Sequence, residues 1–545
     1  MKKRPLIGRF VKRPYREMNM PKPKKTSPTK TKRERRSVLL NAPTNAPTMS
    51  NAPTTTKSQL SSVIKSARDI MRKDAGLNGD LDRLPQLSWV LFLKSYDDLE
   101  LRREQEAVMR GESYKPVISK GYRWRDWAAD ENKGHTGEDL IKFVNDDLLP
   151  KLRALNGSDE RQTIAEVFKE TFNRFLSGFL LRDVVNLVNR INFNSSDDIH
   201  TLSHLYESML KEMRDAAGDS GEFYTPRPVV RFIVERVKPK LGDKILDPAC
   251  GTGGFLVEAY NLLEKQQCTV EDRETLQSKT LYGVEKKPMP FLLGMMNLLL
   301  HGVDRPNLRR DNALKNPLRE ITEKDRVHVI VTNPPFGGEE ERGIQLNFPE
   351  ATRTSETALL FMQFIMRSLK EGGRCGMVVP NGTLFGDGVA ARVKEQLLNE
   401  FNLHTIVRLP NGVFAPYTSI PTNLLFFDKP CRDVLSNIPA TTQIWYYELA
   451  LPEGRKNYTK TAPMQDAEFD ECRALWDKRE LTARSWMVEA KEVAANSFNL
   501  DIKNPNRVDD YEHMPPEKLV ADIAAKETRI AAIMAEIEET LRGGV

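Results

Sequence analysis

Residues 244–265 read KILDPACGTGGFLVEAYNLLEK, and this stretch decides the fold. A short apolar run, Lys244 to Leu246, ends at Asp247; Gly251, Gly253 and Gly254 follow, and a helical pattern begins at Phe255. Glycines between a strand and a helix let the backbone approach a ligand closely, and the helix start offers N–H groups without intrahelical acceptors. In open α/β sheets such ligands lie at the carboxyl ends of the strands. The loop has neither the G-x-G-x-x-G spacing of dinucleotide folds nor the Gly-Lys-Ser/Thr ending of a P-loop, which argues against both of those ligand classes.

The same texture continues outward. Between Asp243 and Lys429, short β-rich runs alternate with helical stretches: TLYGVE (280–285), VHVIVTN (327–333), RCGMVVP (374–380), LHTIVRLP (403–410) and TNLLFFDK (422–429). Strands alternating with helices predict an α/β fold with a parallel, doubly wound, Rossmann-like sheet. The second strand ends at Glu285, where a carboxylate can accept both ribose hydroxyls of an adenosine. Asp311 and Asn312, after the third strand, are placed to meet its adenine ring. Upstream, Gly221-Glu-Phe-Tyr-Thr-Pro-Arg227 precedes the helical VVRFIVERV, so Thr225 is expected to cap that helix with Pro226 near its first turn.

The fourth strand delivers Asn333-Pro334-Pro335-Phe336 to the same rim. An exocyclic base amine is a poor nucleophile because its lone pair is delocalised into the ring. Acceptors held against its two hydrogens stabilise the charge that develops as nitrogen becomes tetrahedral. Asn333 Oδ1 and the Pro334 carbonyl suit that task, aiming the lone pair at a sulfonium methyl, while two prolines fix the turn. Phe336 offers a ring on which a base extruded from a duplex can stack.

The 545 residues, 39% hydrophobic, suffice for two or three cores. Residues 1–57 are basic and Pro-rich, repeat NAPT, and are expected to be disordered. Met49 is an alternative start of translation. Met1 to Leu40 holds fifteen Lys/Arg against two Glu, a formal +13 out of +6 overall, which leaves −7 for the remainder. A negatively charged body binds DNA poorly by itself, since nonspecific affinity comes from cations along the phosphates. Residues 58–195 repeat their apolar positions at three and four, the mark of an all-α domain. Residues 196–480 hold the α/β domain; beyond Pro430 its sequence looks irregular. Within 481–545, Leu519, Ile523, Ile530, Ile533, Ile537 and Leu541 form a helical stripe that needs a partner helix or the chain's own body. Phe291 to Leu300 is half the length of a membrane span, about 20 residues, and is interrupted by Asn297. Five scattered cysteines fit a reducing cytoplasm. No metal set emerges: His200 and His204 lack the Glu of an H-E-x-x-H motif. Cys250 is read as a small packing residue.

GEFYTPR, DPACGTGGF, YGVE and NPPF, in this order, resemble the amino-methyltransferases, specifically the modification (M) subunit of type I restriction-modification systems. The resemblance spans roughly Ser58 to Asn504, including NLDIKNP at 499–505. It implies S-adenosylmethionine as cofactor and methylation of adenine N6 in a specific sequence of double-stranded DNA, in a bacterial or archaeal cytoplasm. Cofactor contacts are implied for Glu222, Phe223, Tyr224, Thr225, Pro226, Arg227, Asp247, Gly251, Thr252, Gly253, Gly254, Glu285, Asp311 and Asn312; catalysis is implied at Asn333, Pro334, Pro335 and Phe336. Partners implied are a specificity (S) subunit, a second M subunit and a restriction (R) subunit, with no membrane. A free-standing enzyme with the same corner, acting on RNA or a protein glutamine, is the rival; it would not need the N-terminal helical domain. A noncatalytic scaffold would have lost Asn333 or the glycine loop. Cytosine-N4 enzymes usually carry Ser in place of the Asn.

Overall fold

The computed structural model describes residues 57–542, apart from 132–133, 194–205, 207–208, 211–223, 268, 416–417, 419, 432–438, 460–461 and 507–515. Met1 to Lys57, read above as a tail, thus lies almost wholly outside the described residues, as do Glu222, Phe223, His200 and His204.

The helical part begins with α1 (Lys57–Met71) and α2 (Asp80–Arg110), followed by α3 (Asp159–Phe168) and α4 (Gly178–Asn189). Trp89 to Leu93 are all buried, so α2 is covered on every side at its middle, as a central core helix must be. Its partner outside the helical part is α7 (Pro288–Leu300), the apolar helix of the α/β part. The Tyr206 hydroxyl lies 3.1 Å from Ser88 Oγ and 3.5 Å from the Leu293 carbonyl, pinning the two together. Arg102 pairs with Asp304 at 2.9 Å, and Arg310 with Glu170 at 2.5 Å.

The α/β part carries α5 (Arg227–Val237), β1 (Ile245–Asp247), α6 (Gly254–Glu264), β2 (Leu281–Glu285), α7, β3 (Asn307–Arg310), β4 (Val327–Thr332), α8 (Thr357–Ser368), β5 (Leu369–Pro380), α9 (Val389–Glu400), β6 (Asn402–Arg408), β7 (Thr422–Asp428), β8 (Gln443–Glu448) and β9 (Ser485–Glu489). They form one nine-stranded sheet in the order β3-β2-β1-β4-β5-β7-β6-β8-β9. The order reverses at β1/β4, where the first strands run parallel.

Two expectations need correction. The sheet is mixed rather than parallel, because β7 runs antiparallel between β5 and β6, and β9 runs antiparallel to β8. The described part of 409–421 holds no helix, so the chain turns back directly instead of crossing over. Nor is the sequence beyond Pro430 simply irregular: β8 and β9 extend the sheet and bury Trp445, Tyr446, Tyr447 and Trp486. The C-terminal helix α10 (Pro516–Arg542) leaves its described apolar side chains largely uncovered. Ile523, Ile530, Ile533, Met534 and Ile537 are 47 to 61% exposed along it.

Candidate active site

The glycine loop leaves β1 at Asp247 and closes into α6 through two left-handed residues, Gly251 (φ 51°) and Gly253 (φ 75°), conformations that side chains disfavour. Gly253 is also the residue preceding the first turn of α6. Two buried side chains hold the loop in place. Glu285 Oε2 accepts from the Gly251 amide at 2.9 Å, while its Oε1 accepts from the Lys287 amide at 2.7 Å. Asn297, the one polar residue buried in the apolar run of α7, donates from Nδ2 to the Thr252 carbonyl at 2.8 Å. Gly294 lets α7 approach so closely that a Cβ there would lie 3.0 Å from the Gly251 carbonyl.

Asp247 is fully buried beneath the loop. Its Oδ1 accepts from the Thr332 hydroxyl at 2.7 Å and from the Ala249 amide at 3.2 Å; its Oδ2 has no protein partner. Burial, reinforced by the nearby Glu285 carboxylate, pushes its pKa up to about 7 despite those two hydrogen bonds. Thr332 is the last residue of β4, so the strand that carries Asn333 is fastened to the strand that carries the loop.

Asn333 follows directly. Its Nδ2 donates to Thr225 Oγ1 at 3.0 Å, whereas its Oδ1 is buried without a partner. Thr225 therefore does not cap α5 as expected; the N-cap position falls on Pro226 and no side chain caps that helix. The segment is anchored on the other side by Arg227, whose Nη1 donates to the Gly254 carbonyl at 2.9 Å. Burial lowers the pKa of this guanidinium to about 10. Tyr224, Thr225, Arg227, Asp247, Thr252 and Asn333 border one narrow recess.

Phe336 stands edge-on to Phe414, ring centroids 5.8 Å apart. Phe414 lies in the β6–β7 connection, and no local signal in its LPNGVFAP surroundings marked it. Pro334 is buried and Pro335 partly so. Thr332 and Asn297 were also missed as site residues; a lone Asn in FLLGMMNLLL was the readable sign of the second.

Asp311 and Asn312 are not brought into the recess. Asp311 Oδ2 pairs with Lys315 at 2.5 Å, its Oδ1 accepts from the Asn312 amide, and it borders a separate cleft between α3 and the β3 edge. Asn312 closes its own turn by accepting from the Leu314 amide. The Cys250 thiol is buried and pushed well above its ordinary pKa, away from nucleophilic duty.

The N-6 DNA Methylase family matches residues 197–514, and the HsdM N-terminal domain family matches residues 60–188. The methylase subunit of the type I restriction enzyme EcoEI from Escherichia coli is 45% identical over 88% of this chain and 97% of its own length. The chain belongs to the type I N-6 DNA methylases. A modification subunit of a putative type I restriction enzyme from Vibrio vulnificus YJ016 superposes on it with a TM-score of 0.75 at 56% identity, covering 85% of this methylase and 99% of the other chain. A further structure, from work on complex assembly and conformational transition of the type I R-M system, also has a TM-score of 0.75, at 44% identity over 90% of this chain and 100% of its own. No described helix of this methylase is long and apolar enough to cross a membrane.

Proposed function

We propose that this methylase transfers a methyl group from S-adenosylmethionine to the N6 amine of adenine in double-stranded DNA, within a bacterial cytoplasm. The observation that carries the reading is the buried, unpartnered Oδ1 of Asn333, held at the edge of the recess next to the glycine loop. A buried acceptor without a donor costs about 1–3 kcal/mol, and an amine hydrogen of the substrate would satisfy it.

The residues suit the cofactor. The glycine loop offers backbone amides, the Asp247 carboxylate has a free oxygen to set against a cationic ligand, and Tyr224, Thr225, Arg227 and Thr252 complete the walls. S-adenosylmethionine, when bound, supplies an electrophilic methyl on a sulfonium. The chain's residues do the rest. Asn333 Oδ1 and the Pro334 carbonyl accept the two amine hydrogens and stabilise positive charge as it develops on nitrogen. Phe336, backed by Phe414, presents a ring to the extruded base. Glu285 acts on the loop through the Gly251 amide, so its role includes bracing as well as the proposed ribose contact.

The methylase works in an assembly. A formal −7 outside Met1 to Leu40 leaves it dependent on an S subunit for sequence recognition, with a second M subunit and, for cleavage, an R subunit. The exposed stripe of α10 is the proposed contact to the S subunit. We assign 58–195 to the helical domain, 196–480 to the methyltransferase domain and 481–545 to the C-terminal extension. An RNA or protein substrate is disfavoured by the helical domain's match to the HsdM N-terminal family. Labelled-methyl transfer by the assembled Asn333→Ala enzyme tests the reading: loss of about 100-fold or more in kcat is expected, and activity near wild type rejects it.

A further inference from the structure

Asn333 faces a problem its own side chain cannot solve. The two ends of a carboxamide are nearly the same shape, yet only the oxygen end can receive amine hydrogens; with the nitrogen end turned toward the recess, two donors would meet two donors. A group outside the side chain must also hold the amide in place.

The group in place to do so is Thr225 Oγ1, 3.0 Å from Asn333 Nδ2 and 108 residues away in sequence. It occupies the nitrogen end, and the oxygen end is left buried and unpartnered beside the recess. The backbone that carries this hydroxyl is well fixed. Pro226 follows it and holds φ at −55°, and Arg227 ties the next residue to the Gly254 carbonyl at the start of α6. From the other side, Thr332 fastens the backbone before Asn333 to Asp247. Neither tie touches the amide itself; the Thr225 hydroxyl does, and it anchors the group at the edge of the recess. We propose that Thr225 is a positioning residue for methyl transfer, its hydroxyl anchoring the Asn333 amide at the edge of the recess where the target amine must sit.

The proposal rests on Asn333 being the amine acceptor, and it changes the reading of this segment. Thr225 is placed to serve the reacting corner, whereas its neighbour Arg227 serves the loop. One short stretch before α5 thereby links the loop and the acceptor, two features that the sheet alone brings only to the same rim.

The test compares Thr225→Val, nearly isosteric but without a hydroxyl, with Thr225→Ser, which keeps it. Both are assayed in the full chain assembled with its S subunit, with Asn333→Ala alongside. S-adenosylmethionine binding is measured by titration calorimetry, and single-turnover methyl transfer at saturating cofactor and DNA. At saturating cofactor, Thr225→Val is expected to lower the transfer rate about 10- to 100-fold, the scale of a misplaced catalytic group. Thr225→Ser is expected to return within about threefold of wild type. A Thr225→Val enzyme with a wild-type transfer rate overturns the proposal. So does a Ser variant as slow as Val. If Asn333→Ala itself is fully active, the underlying site reading fails, an outcome separate from these.

Discussion

Replacing Asp247 with Asn gives a pH signature that can be worked from the structure. The carboxyl is fully buried, accepts two hydrogen bonds at Oδ1, and titrates near 7. In the unfolded chain the same group titrates near its ordinary value of about 4. Between these limits the native state holds a proton that the unfolded state has released. Stability therefore falls as pH rises through that window, and the full fall is about 4 kcal/mol, three pKa units at about 1.4 kcal/mol each. Asn keeps the shape and both hydrogen bonds to its oxygen, and places a neutral donor where Oδ2 has no partner. Below about pH 4 the wild-type group is neutral both folded and unfolded, so the two proteins should be close in stability; by pH 8 the Asn variant should be the more stable. Urea unfolding of the unliganded full chain at half-unit steps from pH 5 to 8, wild type against Asp247→Asn, reads this directly. Every other titrating group is common to both, so the difference between the curves isolates Asp247. Parallel curves over the whole range would refute the argument that this carboxyl is buried without a counter-charge.

The remaining predictions concern the loop, the partner helix and the base. Gly253→Ala forces a side chain into φ 75° at the start of α6, and is expected to cost about 1 kcal/mol or more of stability and to weaken cofactor binding in a calorimetric titration. Removing 517–545 takes away the exposed stripe of α10; the truncated chain should keep its fold by circular dichroism and lose assembly with the S subunit on size exclusion. The full chain alone should bind DNA weakly and without sequence preference, so tight site-specific binding in a gel shift would contradict the assembly reading. Phe336→Ala should slow methylation of duplex DNA by removing about 1–3 kcal/mol of base stacking, with cofactor affinity unchanged.

The two motifs that carry the site were legible because their residues dictate local geometry. Gly251 and Gly253 sit at positive φ where the DPACGTGG stretch placed a tight loop, and Asn333 leaves β4 on the same rim. What could not be read was tertiary. Thr225 was assigned to a helix cap because the adjacent helix is all that local sequence shows; its partner is 108 residues away. Phe414 reaches Phe336 only because β7 inserts antiparallel between β5 and β6, a reversal with no local signature. The strands QIWYYE and SWMVE were hidden in a stretch interrupted by turns and polar loops. Asp311 follows β3 where the pattern put it, but its pairing with Lys315, four residues on, was not foreseen.

The central claim is adenine-N6 methylation from the Asn333 corner, directed by a partner chain. It is tested most directly by assembling this methylase with its S subunit, supplying S-adenosylmethionine and duplex DNA, and mapping methylated bases at single-nucleotide resolution. The account predicts N6-methyladenine at one short sequence, absent with Asn333→Ala and absent without the S subunit. Methylation of cytosine, or N6-methyladenine formed equally well by the Asn333→Ala enzyme, would contradict it.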